Sequence, residues 1–219
     1  MNIAVLGTGD VGRTMATALI KQGHTVMMGS RTADNPAARA WAESQGESAR
    51  QGTFDDAAAF ADLVFNCTAG MHSLAVIDSI NKDHLNGKVL VDVANPLDFS
   101  NGFPPRLTVC NDDSLGEQIQ RVLPDVRVVK AFNTLANAMM VEPARLEGPH
   151  QLLVSGNDAD AKEKVREIAA SFGWQHEQWL DLGGIEQARG TEMYLALWVR
   201  LYNALQTPEF NLILARSRA

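Results

Sequence analysis

The chain has 219 residues, 46% hydrophobic and 21% charged, which suits one globular domain, or one with a small appendage, able to bury a sizeable core. A formal charge of −7 with no clustered basic run argues against nucleic acid as a partner, because phosphate neutralisation needs grouped Lys and Arg. No apolar run reaches membrane-spanning length and no basic-then-apolar leader opens the chain, so the expected setting is the cytoplasm, with no membrane contact.

The run NIAVLG reads as a first strand that enters a glycine turn directly. That turn, Gly7-Thr8-Gly9-Asp10-Val11-Gly12, has the G-x-G-x-x-G spacing and opens a helix over residues 11–22, with Val11, Met15, Ala18 and Leu19 on one face. The three glycines suit three tasks: a tight turn, close approach of backbone to a pyrophosphate, and close packing of helix on strand. The helix N-terminus then offers unpaired N–H groups to the phosphates.

A second strand, HTVMMG, ends in a turn carrying Ser30, Arg31 and Thr32. A site selective for NAD places a carboxylate here for the ribose 2′-hydroxyl, but no acid appears before Asp34. The Arg31 guanidinium suits a 2′-phosphate, with Ser30 and Thr32 as added hydroxyl donors, so the expected coenzyme is NADP(H).

Asn35-Pro36 should start a helix that runs to about Gln45, and SARQG should form a third strand. Thr53 with Asp56 resembles a capping box at a further helix start. LVFNC, KVLVDVA, RVVKAFN and HQLLVSG read as strands four to seven, with helices over 115–122 and 159–172 and a last strand over 174–180. The alternation of strands and helices predicts an α/β fold: a Rossmann-type doubly wound, mostly parallel sheet. A dinucleotide-binding domain over 1–180 is then followed by a small helical extension over 181–219, serving as substrate cap and possible dimer contact. Residues 185–205 should form one long helix with Met193, Leu197, Leu201 and Leu205 as its apolar stripe, ended by Thr207-Pro208. Cys67 and Cys110 lack metal spacing and read as free buried thiols.

Ligands of such a sheet lie beyond the carboxyl ends of its strands. Three loops therefore qualify for the nicotinamide: Thr68-Ala69-Gly70, Ala94-Asn95-Pro96, and the loop containing Asn133. His72 is a candidate general acid or base, although it could equally be a surface residue at a helix start. Asp92 could cap a neighbouring loop, and Lys130 could face either side of its strand. No nucleophile triad or metal-ligand spacing is present, in keeping with hydride transfer, which relies on proximity and alignment.

With GTGDVG, GSR, VDVANP, KAFNT, LLVSGNDADAKEKV and LDLGGIEQARGTE in this order, the chain resembles the NADP-dependent oxidoreductases of the deazaflavin coenzyme F-420. It also resembles the NADPH-oxidising domains of transmembrane metalloreductases. The resemblance covers nearly the whole chain. It implies NADP(H) on Gly7 to Gly12, Ser30 and Arg31, a nicotinamide near Thr68 to Gly70, Ala94 to Pro96 and Asn133, and a homodimer. The second ring, F-420 or a flavin such as FMN or FAD, would stack there under the C-terminal helices. The strand-four loop TAGMH lacks the proline of the deazaflavin enzymes, and KAFNT is closer to the metalloreductase branch, which leaves the acceptor open. The competing readings are a non-catalytic NADP(H)-binding sensor or accessory protein, and a small-molecule imine or keto reductase. The second would need a longer helical substrate domain than the tail supplies.

Overall fold

A computed structural model describes residues 1–215 and 217. In its first half, short β-branched runs alternate with helices: β1 (Asn2–Leu6), α1 (Asp10–Lys21), β2 (Thr25–Ser30), α2 (Pro36–Gln45), β3 (Ala49–Thr53), α3 (Phe54–Phe60), β4 (Leu63–Asn66), α4 (Gly70–Asp78) and β5 (Val89–Asp92). A hairpin of β6 (Leu97–Asp98) and β7 (Arg106–Leu107) follows. The chain continues through α5 (Leu115–Val122), β8 (Arg127–Lys130), α6 (Asn137–Val141), β9 (Leu152–Gly156), α7 (Ala159–Ser171), β10 (Trp179–Asp181), α8 (Ala188–Met193) and α9 (Leu195–Leu205).

The main sheet has the order β10-β9-β8-β5-β4-β1-β2-β3. The strands from β3 across to β8 are parallel, β9 runs antiparallel to β8, and β10 is parallel to β9. The expected doubly wound, mostly parallel architecture is therefore present. The strand order reverses between β1 and β4, which creates a switch point above their carboxyl ends.

β1 shows why such strands read as unbroken apolar runs. Ile3 and Val5 enter the core under α1, α2 and α7, whereas Ala4 and Leu6 enter the opposite core under α3 and α5. Alternate side chains face opposite layers, and both layers exclude water. Full burial of each such aliphatic side chain contributes about 1.5–3 kcal/mol.

Local chemistry sets the helix starts. Asn35 Oδ1 accepts from the backbone N–H groups of Ala37 and Ala38 at 3.0 and 3.1 Å, with Pro36 in the first turn. Thr53 and Asp56 form the reciprocal capping box. Such a cap contributes about 1 kcal/mol.

Several boundaries differ from the sequence reading. The last strand spans only Trp179–Asp181, because Trp174 turns into the core and donates its indole N–H to the Met140 carbonyl at 2.9 Å. The strand starting at Leu152 excludes His150, which is buried between the Pro143 carbonyl and the Asn211 amide. A division at residue 180 would fall inside β10, and Ile185 and Ala188 of the extension join the same core as α5. The β6–β7 hairpin and α6 had no anticipated counterpart.

The expected long helix over 185–205 is segmented: a 3-10 turn at Ile185–Gln187, then α8, then α9, with Tyr194 as the turn residue between them. Its packed face is also different. Glu192, Leu195 and Val199 are buried, while Leu197 and Leu205 are 51% and 52% exposed. Burial of the Glu192 carboxylate against charged and backbone partners selects the inward face, which the apolar stripe alone misplaces. Cys110 is likewise half-exposed, although Cys67 is buried, and both are free thiols.

Candidate functional site

The glycine turn lies at the switch point, and its three glycines meet three different surroundings. Gly7 has φ +114°, and a Cβ there would lie 2.7 Å from the Cys67 carbonyl oxygen. At Gly12 a Cβ would lie 2.2 Å from the Gly7 carbonyl oxygen, so only glycine permits this approach of α1 to β1. Gly9 is the opposite case: a Cβ would meet nothing within 4 Å. The turn is thus closed beneath and open above, as backbone approach to a pyrophosphate requires. The Asp10 carboxylate points to solvent and pairs with Arg13 at 2.5 Å, while the other Arg13 nitrogen donates to the Thr8 carbonyl at 2.7 Å. Arg13, unmarked in the sequence reading, braces the turn.

Beyond β2, Arg31 is exposed and makes no hydrogen bond or ion pair among the described residues. It lines a cavity of about 530 Å³ together with Thr53, Phe54, Asp55, His72, Ala75, Val76 and Ser79. Ser30 does not offer the expected donor. It is buried, and its hydroxyl donates to the Thr32 carbonyl at 2.5 Å, so it braces the turn that presents Arg31. Thr32 stays exposed. Asp55 enters this cavity from α3. The Asn81 N–H and then His84 hold its carboxyl below the usual carboxylate range. His72 faces this cavity, apart from the loops expected to hold the nicotinamide, so the geometry does not favour it as the acid or base of a reaction there.

The three expected loops do converge. Thr68, Ala69, Gly70, Ala94, Asn95 and Asn133 line one cavity of about 280 Å³ together with Val11, Cys67, Phe99, Leu195 and Trp198. A Cβ on Gly70 would lie 2.0 Å from the Asn95 carbonyl oxygen, so the β4 and β5 loops touch backbone to backbone. Pro96 accepts from the Thr108 N–H at 2.8 Å, which ties the β6–β7 hairpin to the same loop.

The third loop carries an unusual backbone. Phe132 is fully buried with φ +65°, a conformation an aromatic residue rarely adopts. Its ring packs against Phe65 and Phe172 at 6.5 and 6.3 Å, and this packing holds the turn. The turn delivers Asn133, whose Nδ2 donates to Asn95 Oδ1 at 3.0 Å and whose carbonyl accepts from Asn95 Nδ2 at 2.8 Å. Its Oδ1 is buried with no protein partner. An acceptor left open in a ligand-sized cavity suits an amide N–H donor such as a carboxamide. Burial, and then the Asp92 carboxylate, push the Cys67 thiol up, so this cysteine stays neutral and unreactive.

Under the loops lies a set of buried charges that sequence patterning does not reveal. Lys130, Asp92 and Glu192 come from β8, β5 and α8, and all three are excluded from water. Burial opposes the charged form of Lys130, but Asp92 and Glu192 outweigh it and hold its pKa above that of a free lysine. Asp92 also accepts from the Ala94 N–H at 3.2 Å, the loop-capping role its position suggested. Isolated polar letters in apolar strands were the available signal, but their partners lie far apart in the chain.

Comparison with known proteins agrees with this architecture. The family described as NADP oxidoreductase coenzyme F420-dependent matches residues 2–96. A crystal structure from Arthrobacter, named as a candidate F420-dependent NADP reductase, is 48% identical, covers 99% of this chain and 100% of its own, and superposes with a TM-score of 0.93. The F420-dependent NADP reductase of Methanocaldococcus jannaschii is 31% identical over 92% of both chains. Metalloreductase STEAP3 of Rattus norvegicus is 30% identical over 94% of this chain, which spans 38% of that protein's length. Full-length similarity at this level, on a shared fold, establishes that the chain belongs to the family of F420-dependent NADP oxidoreductases.

Proposed function

We propose that the chain transfers hydride between NADP(H) and a deazaflavin of the F-420 type, as a cytoplasmic homodimer. The observation that carries this reading is the three-glycine turn, closed beneath and open above Gly9, at the switch point of the sheet. Family membership supports both the coenzyme and the acceptor class. The exposed Leu197, Tyr202 and Leu205 of α9 support a second copy as partner.

Gly7 to Gly12 would hold the pyrophosphate through backbone N–H groups at the start of α1, with Arg31 on the 2′-phosphate. Thr68, Ala69, Gly70, Ala94, Asn95, Pro96 and Asn133 would hold the nicotinamide, with Asn133 Oδ1 accepting from its carboxamide. The nicotinamide supplies or accepts the hydride when bound. The protein's work there would be alignment and water exclusion: Val11 and Leu195 give the cavity apolar surface, and the paired Asn95 and Asn133 amides would orient the ring.

The test is NADPH oxidation followed at 340 nm with F-420, FMN or FAD as acceptor, alongside the same assay with NADH. Turnover with F-420 and preference for NADPH are expected. Turnover with FMN or FAD but not F-420 would place the chain beside the metalloreductase domains. No turnover with any acceptor, despite NADPH binding, would favour a sensor or accessory role.

A further inference from the structure

Lys130, Asp92 and Glu192 form more than an isolated ion pair. Lys130 Nζ donates to Asp92 Oδ2 at 2.8 Å and to the Ala94 carbonyl at 2.5 Å, and lies 2.8 Å from Glu192 Oε1. Two carboxylates face one ammonium, and the surplus negative charge meets the N-terminus of α5. There Glu192 accepts from the N–H groups of Leu115 and Gly116 at 2.8 and 3.0 Å. Asp92 Oδ1 accepts from Asn66 Nδ2 at 2.8 Å, and Asn66 Oδ1 accepts from the Thr68 hydroxyl at 2.7 Å. Ser73 Oγ closes the far end, 3.1 Å from Asn66 Nδ2 and 2.7 Å from Thr68 Oγ1.

The placement is informative. Apolar residues of similar volume would hold a core together at least as well as a buried charge cluster, so stability alone does not account for it. One end of the network is Glu192, in the segment whose Leu195 and Trp198 form a wall of the 280 Å³ cavity. The other ends are Ala94 and Thr68, which line that cavity from two different loops. The chain of contacts thus joins the wall expected to face the second ring to the loops expected to face the nicotinamide.

We propose that Glu192, Lys130 and Asp92 are positioning residues: Glu192 seats the C-terminal helical wall, and Lys130 and Asp92 transmit that seating to Ala94 and, through Asn66, to Thr68. The seating of the C-terminal segment therefore sets where the nicotinamide end of the coenzyme lies. This inference rests on the NADP(H) reading above.

The experiment compares binding of 2′,5′-ADP, which lacks the nicotinamide half, with binding of NADP⁺, and adds single-turnover hydride transfer from NADPH to F-420. In Glu192→Gln the amide nitrogen must face Lys130 or the α5 N–H groups, donor against donor, so the network opens without loss of side-chain volume. Expected are 2′,5′-ADP affinity within about twofold of wild type, NADP⁺ affinity at least about tenfold weaker, and hydride transfer at least about tenfold slower. NADP⁺ affinity and hydride transfer both within twofold of wild type would overturn the proposal. So would parallel loss of 2′,5′-ADP and NADP⁺ binding by a folded variant, since that marks a general brace. Should Glu192→Gln not fold, Ser73→Ala removes one hydroxyl from the far end. It should shift the NADP⁺ to 2′,5′-ADP affinity ratio about threefold, and an unshifted ratio overturns the proposal. Wild-type protein that fails to bind 2′,5′-ADP would instead refute the NADP(H) reading, a distinct result.

Discussion

On the proposed reading, Arg31→Ala is the most direct perturbation of coenzyme choice. Arg31 is exposed, lines its cavity and makes no hydrogen bond or ion pair among the described residues, so truncation removes the guanidinium without disturbing a packed element. A charge-assisted contact to phosphate is worth about 1.5–3 kcal/mol, or roughly 10- to 150-fold in affinity. Exposure places this contact toward the lower end, about 10- to 30-fold, and screening should shrink it further as salt rises. NADH has no 2′-phosphate, so its affinity should change by less than about twofold. Titration calorimetry of wild type and Arg31→Ala with NADPH and NADH, at low and high salt, measures all eight affinities. Equal losses for the two coenzymes would refute the assignment, as would wild-type preference for NADH.

Three further outcomes follow from local geometry. Gly9→Val should abolish NADPH binding while leaving the melting temperature nearly unchanged, because the new side chain enters open space rather than the core; retained affinity would contradict the turn's role. Gly70→Ala forces a methyl to within 2.0 Å of the Asn95 carbonyl oxygen and should cost about 1–3 kcal/mol. Calorimetry should then show a melting temperature lowered by roughly 2–12 °C, and an unchanged value would show that the two loops do not touch. Asp113 is held at a pKa of about 2, chiefly by Arg121, against an ordinary value of 3.8. Its folded pKa lies below its unfolded one, so its contribution is present above pH 3.8 and is lost as pH falls toward about 2. Asp113→Asn should flatten that part of the stability profile slightly, because Arg121 is largely exposed; urea midpoints at pH 5, 4 and 3 test this, and an unchanged slope counts against it.

Much of this protein is legible without coordinates where the physics is local. The Asn35-Pro36 cap, the capping box at Thr53 and the close approach of Gly12 to Gly7 each depend on residues within a few positions of one another. Backbone sterics and nearest-neighbour hydrogen bonds decide such features, so the letters suffice for the fold class, the turn and the placing of Arg31. Tertiary structure alone decided the rest. It placed His72 at the Arg31 cavity and held Phe132 at positive φ through packing on Phe65 and Phe172. It also set Glu192, rather than the Leu197 and Leu205 stripe, against the sheet. A buried charge goes where its counter-charge and open backbone N–H groups are, and for Glu192 those lie on β8 and at the start of α5, elements that only the folded chain brings together.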